Sequence, residues 1–143
     1  MPASTDAILD QSLECLSWHF HPEWGDRSWL DVFNRLLAKN IKSAGWTHNT
    51  HLDIQRQQIT SRREQWTTET LGRLPLGHGF SNGEDFVCPI IIAEYEGQQL
   101  LLDGNHRINR WSAANDMRVH DVNIHTVVGT ASFIVATSVG HRS

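Results

Sequence analysis

The residues best suited to chemistry lie in one run, Asp103-Gly104-Asn105-His106-Arg107, with Arg110 one helical turn further on. Arginine presents a planar fork of donors that matches phosphate or carboxylate oxygens, and histidine adds a donor in its neutral or charged form. Leu100-Leu101-Leu102 reads as the end of a buried strand. Asp103-Gly104-Asn105 then supplies a tight turn, because glycine tolerates positive φ and asparagine can cap a helix. Beyond it Ile108, Trp111, Ser112 and Asn115 recur at helical spacing. His106 and Arg107 therefore sit where a strand ends and a helix begins. Free backbone N–H groups and the positive end of the helix dipole favour an anion there, whereas a lone cation is poorly placed. The run predicts a phosphate- or carboxylate-binding corner made by Gly104, Asn105, His106 and Arg107, with Arg110 as a second phosphate contact. Asp103 either fixes the turn or orients His106 for chemistry.

The wider segment carries a family resemblance. Pro89-Ile90-Ile91-Ile92, a hairpin turn at Gly97 and the stretch Leu101–Arg107 resemble the ParB/sulfiredoxin superfamily. Its members have a Pro-led strand, a short hairpin and a Gly-x-His-Arg-type motif opening a helix. The resemblance spans about residues 83–128, under half of the chain. It implies a nucleotide phosphate at the motif. Across the superfamily it implies CTP-dependent DNA clamps, proposed nucleases, small-molecule kinases using ATP or ADP, and sulfiredoxins. Sulfiredoxins need a cysteine just before the His-Arg pair. Asn105 stands there, which counts against sulfinic-acid reduction. In the kinases an acid upstream of the sheet acts as base, and Glu64, Glu69, Glu84 and Asp85 are the candidates here. Glu84, in a glycine-rich loop, is the preferred one of these, joining His106 and Asp103 as catalytic candidates. The implied cofactor is ATP or another nucleotide with Mg²⁺.

Composition narrows the classes. A chain of 143 residues, 39% hydrophobic and 20% charged, fits one folded domain rather than a disordered one. A dedicated duplex-DNA binder shows a basic face, whereas this chain carries two lysines, ten arginines and a net charge of −4. A small ligand is thus favoured over nucleic acid. No apolar run is long enough to span a bilayer, and no basic start followed by an apolar stretch marks a signal peptide. Cys15 and Cys88 form no metal or redox motif, so free thiols in the cytosol are expected.

The elements that must position the corner follow from periodicity. A helix is expected over Asp6–Trp18, capped by Ser4 or Thr5. A second is expected after Asp26, with Trp29, Leu30, Phe33, Leu36 and Leu37 on one face, ending by Gly45. Residues 52–71 predict a third helical stretch, either continuous or broken near Thr60-Ser61, with Ile54, Ile59, Trp66 and Leu71, exposed on one side. Residues 72–85 read as a Gly-rich loop facing substrate. Strands are expected at 87–95 and 98–102, a helix over 106–115, a third strand over 122–128 and a fourth over 132–139. The sum is an α+β single domain over 1–143. A helical part (1–75), rich in tryptophan and covering the site, packs on a small ParB/sulfiredoxin-like part (83–139) whose sheet carries the motif-bearing helix.

Other chemistries have weaker support. His19-x-His21 and His48-x-x-His51, with Asp53 nearby, have metal-ligand spacing, but such pairs more often lie on the surface or cap helices. No Gly-x-Ser-x-Gly elbow is present. The leading expectation is an enzyme, ParB/sulfiredoxin-like and cytosolic, that binds a nucleotide or other phosphate-bearing ligand and acts on a small molecule, with phosphoryl transfer as the candidate reaction. Its rivals are a non-catalytic nucleotide-binding or DNA-associated ParB-like module, a ParB-like nuclease, and a carboxylate site that takes no nucleotide.

Overall fold

Alternation along one central strand organises the molecule. In the computed structural model, which describes residues 5–17, 28–41, 50–75 and 88–135, β3 spans Ile90–Tyr95. Ile90 and Ile92 enter one apolar cluster, while Ile91, Ala93 and Tyr95 enter another on the opposite face. A strand buried on both faces needs this near-continuous apolar run. β4 (Gln98–Asp103) repeats the division, Leu100 and Leu102 to one side and Leu101 to the other. The turn between β3 and β4 places Glu96 at φ 49° and Gly97 at φ 79°, the paired positive values of a tight hairpin whose twist matches its strands.

The main sheet has the order β2-β5-β3-β4, with β2 at Ile59–Thr67 and β5 at Val119–Val127. β5 runs antiparallel to β2 and parallel to β3, and β3 runs antiparallel to β4. One face is covered by α1 (Thr5–Leu16) and α2 (Trp29–Ile41), through Leu9, Leu13, Leu16, Phe33 and Leu37. The other carries α3 (Thr68–Leu71) and α4 (Asn105–Ala113), through Leu71 and Ile108. Each such buried side chain contributes roughly 1.5–3 kcal/mol relative to exposure. A second sheet of two short strands pairs β1 (Thr50–Leu52) with β6 (Phe133–Val135). Asn34 of α2 holds the segment after β1 by donating to the Ile54 carbonyl at 3.0 Å and accepting from its N–H at 2.9 Å.

The α+β class stands, but the expected third helix does not. Residues 59–67 form a nine-residue strand, preceded by a single 3-10 turn at Arg56–Gln58 and followed by the one-turn α3. Arg62, Arg63, Glu64 and Gln65 favour helix by intrinsic propensity. Pairing of every residue from Ile59 to Thr67 with β5 overrides that preference. Charged side chains also suit an edge strand, where they discourage further pairing. The first 75 residues are accordingly not all helical.

Local expectations elsewhere agree to within a few residues. α1 and α2 lie where periodicity places them, although Trp29 is half exposed and Val32 and Ala38 join the core. Ser28 Oγ accepts from the Asp31 N–H at 3.2 Å and caps α2, while Asp26 lies outside the described residues. β3, β4, α4 and β5 follow the expected order. Of the fourth expected strand, Phe133–Val135 form β6, which joins β1 rather than the main sheet, and residues 136–139 lie outside the described residues.

Cys15 and Cys88, expected as free thiols, form a disulfide. Sequence separation hides the pairing: the last turn of α1 and the residues before β3 are 73 positions apart, yet the fold brings their Cα atoms to 6.3 Å. Such a distance is ordinary for a bonded pair. Among the described residues, no helix is long and apolar enough to cross a membrane.

Candidate anion-binding corner at the start of α4

The sheet positions the corner through a close backbone approach. Gly104, between β4 and α4, has φ 119°, and a Cβ built there would lie 2.3 Å from Ile90 Cδ1. Only glycine fits both the conformation and the space. Gly104 then serves as N-cap with no side chain to offer, and the first backbone bond of α4 runs from the Ile108 N–H to the Gly104 carbonyl at 2.9 Å. The N–H groups of Asn105, His106 and Arg107 precede that bond, as in any helix start. Asn105 Oδ1, on the same turn, is buried and has no hydrogen-bond partner.

The predicted side chains gather here in unequal ways. His106 is exposed, as are Asn109 and Arg110. Arg107 is largely covered, its side chain 15% exposed. Its guanidinium donates from Nη1 to the Cys88 carbonyl and from Nη2 to Asp103 Oδ2 at 3.3 Å. Asp103 thus holds Arg107. Glu84 and Asp85 lie outside the described residues. Glu64 accepts from Arg62 and Trp66, and the exposed Glu69 pairs with Arg73 at 2.9 Å, so both upstream acids are engaged elsewhere.

A residue that sequence patterns did not single out flanks the same helix. His120 of β5 stacks on Trp111 of α4, ring centroids 3.7 Å apart and planes 3° from parallel. Its Nε2 meets Thr68 Oγ1 at 2.9 Å. Burial pushes its pKa down, against the pull of Asp116, and the charges of Arg118 and Arg107 add to the depression. The charge of Arg107 is therefore felt at His120. A lone histidine in a strand carries no local signal of this stacking.

A second polar cluster lies on the opposite face. His125 Nδ1 meets Ser61 Oγ at 2.6 Å and Nε2 meets Ser12 Oγ at 2.7 Å. Asn123 donates to Ser12 and Gln11 and accepts from Arg63. Burial alone pulls the His125 pKa down to about 4, so the ring is neutral near pH 7. Both ring nitrogens are filled by serine hydroxyls, and among the described residues no carboxylate bonds to the ring. The arrangement joins α1 to β2 and β5 and is not a nucleophilic triad.

Polar side chains also cross the sheet in a row. Arg62 grips both oxygens of Glu94 at 3.0 and 3.1 Å, and Glu94 also accepts from Thr126 and Gln99. These bonds, led by Arg62, hold the Glu94 pKa down at about 2. A cleft of about 600 Å³ opens beside this row, lined by Arg73, Leu74, Glu94, Glu96 and Gln99 among others. It lies at the hairpin end of β3, remote from residues 103–107, and its central carboxylate is already fully engaged. The corner, with a helix start that lacks a side-chain cap and a glycine cradle, is the better candidate site.

Of the histidine pairs, only His51 lies within the described residues. Asp53 accepts from the Ser132 N–H at 2.8 Å, tying the turn before β6 to the chain after β1. Among the described residues no group of three His, Cys, Asp or Glu side chains is placed to hold a metal ion. No family model, curated protein or solved structure matches the chain.

Proposed function

We propose that the first turn of α4 binds the phosphate of a small ligand, a nucleotide being the class that the ParB/sulfiredoxin resemblance implies, in an enzyme that acts on a small molecule in the cytosol. The observation that carries this reading is the Gly104 cradle. A backbone forced to φ 119° against Ile90 leaves a helix start with no side-chain cap. Backbone donors there, with Arg107 beside them, suit a tetrahedral oxyanion. The net charge of −4 further favours a small ligand over DNA.

The donor set fits a phosphate better than it fits Mg²⁺. Asp103, the carboxylate nearest the motif, is engaged by Arg107. The residues here would bind and orient the phosphate, and Mg²⁺, where used, would neutralise charge on it. His106, exposed on the first turn, would donate to a phosphate oxygen.

Calorimetric titration with ATP, pyrophosphate and small carboxylates tests the reading. Arg107→Ala should weaken binding of the phosphate ligands by about 1.5–3 kcal/mol, the range for a hydrogen bond to a charged group. Undiminished affinity in this variant for every ligand that the wild type binds would remove the corner as the site. Binding of carboxylates alone would replace the phosphate reading with a carboxylate one.

A further inference from the structure

We propose that the Cys15–Cys88 disulfide is a redox clasp on the anion corner, holding Arg107 and the first turn of α4 in binding geometry while it is closed. This inference rests on the phosphate-binding reading and adds regulation to it.

Three contacts connect the disulfide to the corner. Cys88 accepts from Arg107 through its own main-chain carbonyl, so the bonded cysteine is itself the anchor of the guanidinium. Two residues later, Ile90 forms the floor beneath Gly104. Ile91 then pairs with Asp103, the other partner of Arg107. The start of β3 thus touches each part of the corner, and the disulfide ties that start to Cys15 in the last turn of α1, itself seated in the core by Leu9, Leu13 and Leu16.

Opening the clasp is ordinary thiol–disulfide exchange. A thiolate of a dithiol reductant attacks one sulfur and the other leaves as a cysteine thiolate. The second thiol of the reductant then closes the reductant's own disulfide and releases the remaining cysteine. Two electrons and two protons end on Cys15 and Cys88. Cys88 is partly exposed, which gives the reductant a side from which to approach. In a reducing compartment a disulfide of this kind is a redox-responsive bond rather than a permanent staple. Once it is cut, the Cys88 carbonyl is no longer fixed to α1, Arg107 loses its rigid anchor, and ordering that side chain is charged to ligand binding instead.

The test compares oxidised and dithiothreitol-reduced protein, with thiols counted and folding checked by circular dichroism. Pyrophosphate and ATP serve as probes by calorimetry, and amide hydrogen exchange is followed at residues 108–111, the first whose N–H groups bond within α4. Reduction should weaken binding about three- to tenfold, the cost of immobilising one long side chain. Cys15→Ser should match the reduced protein with or without reductant. In Arg107→Ala the redox difference should vanish. If Cys15→Ser fails to fold, reduced and alkylated wild type replaces it. Equal affinity of the oxidised and reduced wild type overturns the clasp and leaves the phosphate site standing. If neither form binds either probe, the phosphate reading falls, and hydrogen exchange decides the clasp alone: faster exchange on reduction upholds its hold on α4, and unchanged exchange overturns it.

Discussion

Ile90 lies so close beneath Gly104 that a single added carbon on the glycine would approach its Cδ1 to 2.3 Å. Gly104→Ala therefore meets two obstacles, a left-handed backbone that an L side chain resists and a buried neighbour without room to yield. We expect a loss of about 2–4 kcal/mol of stability, summing the strain of the backbone and of overpacking. Chemical denaturation reads it directly. An alanine variant as stable as the wild type would mean that the turn adopts another conformation in solution.

Arg107 and His106, adjacent in sequence, should behave oppositely when truncated. Arg107 is covered and bonded to the Cys88 carbonyl and Asp103, so Arg107→Ala should cost about 1–3 kcal/mol of stability in the absence of ligand. His106 is exposed, and His106→Ala should stay within about 0.5 kcal/mol of the wild type. Thermal melts of both variants without ligand check the contrast. Equal stability would show that the Arg107 contacts contribute nothing net.

Acid should destabilise the protein in two steps. His125 has a folded pKa of about 4 against an ordinary 6.5, so the unfolded chain takes up the proton first. Stability falls as pH drops from about 6.5 toward 4, by an amount on the order of 3 kcal/mol. Glu94 is held down at about 2 from 4.5, so its contribution is complete above pH 4.5 and is lost as pH falls toward 2. Melting temperature against pH should show both slopes. His125→Asn should flatten the upper one and Glu94→Gln the lower. A wild-type profile flat between pH 6.5 and 4 would mean that the His125 ring is open to water.

Removing the disulfide should cost stability whatever it does to ligand binding. The bond closes a loop across a separation of 73 residues, and a loop of that size is worth about 4 kcal/mol in the chain-entropy account. Denaturation of oxidised and reduced protein measures the difference. Identical midpoints would show that the loop is constrained as well without the bond.

How much of this was legible in the sequence depended on the distance over which each feature is decided. The β3–β4 hairpin and α4 announce themselves locally, through an apolar run, a Glu96-Gly97 turn, a leucine triplet and a glycine before a helical period. β2 does not, because Arg62 to Gln65 favour helix by themselves and their strand is imposed by β5, some sixty positions away. The same holds within the candidate site. The positive φ of Gly104 follows from its place in the Asp103-Gly104-Asn105 turn. The Cys88 carbonyl as anchor, the Cys15–Cys88 bond and the stacking of His120 on Trp111 join segments that share no local pattern.

The strand order also implies a sequence of events in folding. β3 and β4 are joined by a two-residue turn, and hairpins of that kind close in about 1–10 μs. α4 follows directly, and β5 can then align along β3 within the segment 90–127. Among the described residues β5 is the sole neighbour of β2 in the main sheet, so β2 pairs there only once β5 is in place. Loop-closure entropy makes that long-range pairing late. Substitutions in β2 should therefore chiefly hasten unfolding, whereas those in the hairpin and at Ile108 should slow folding itself. The helix proposed to offer its donors to an anion would then belong to the part of the chain that assembles first.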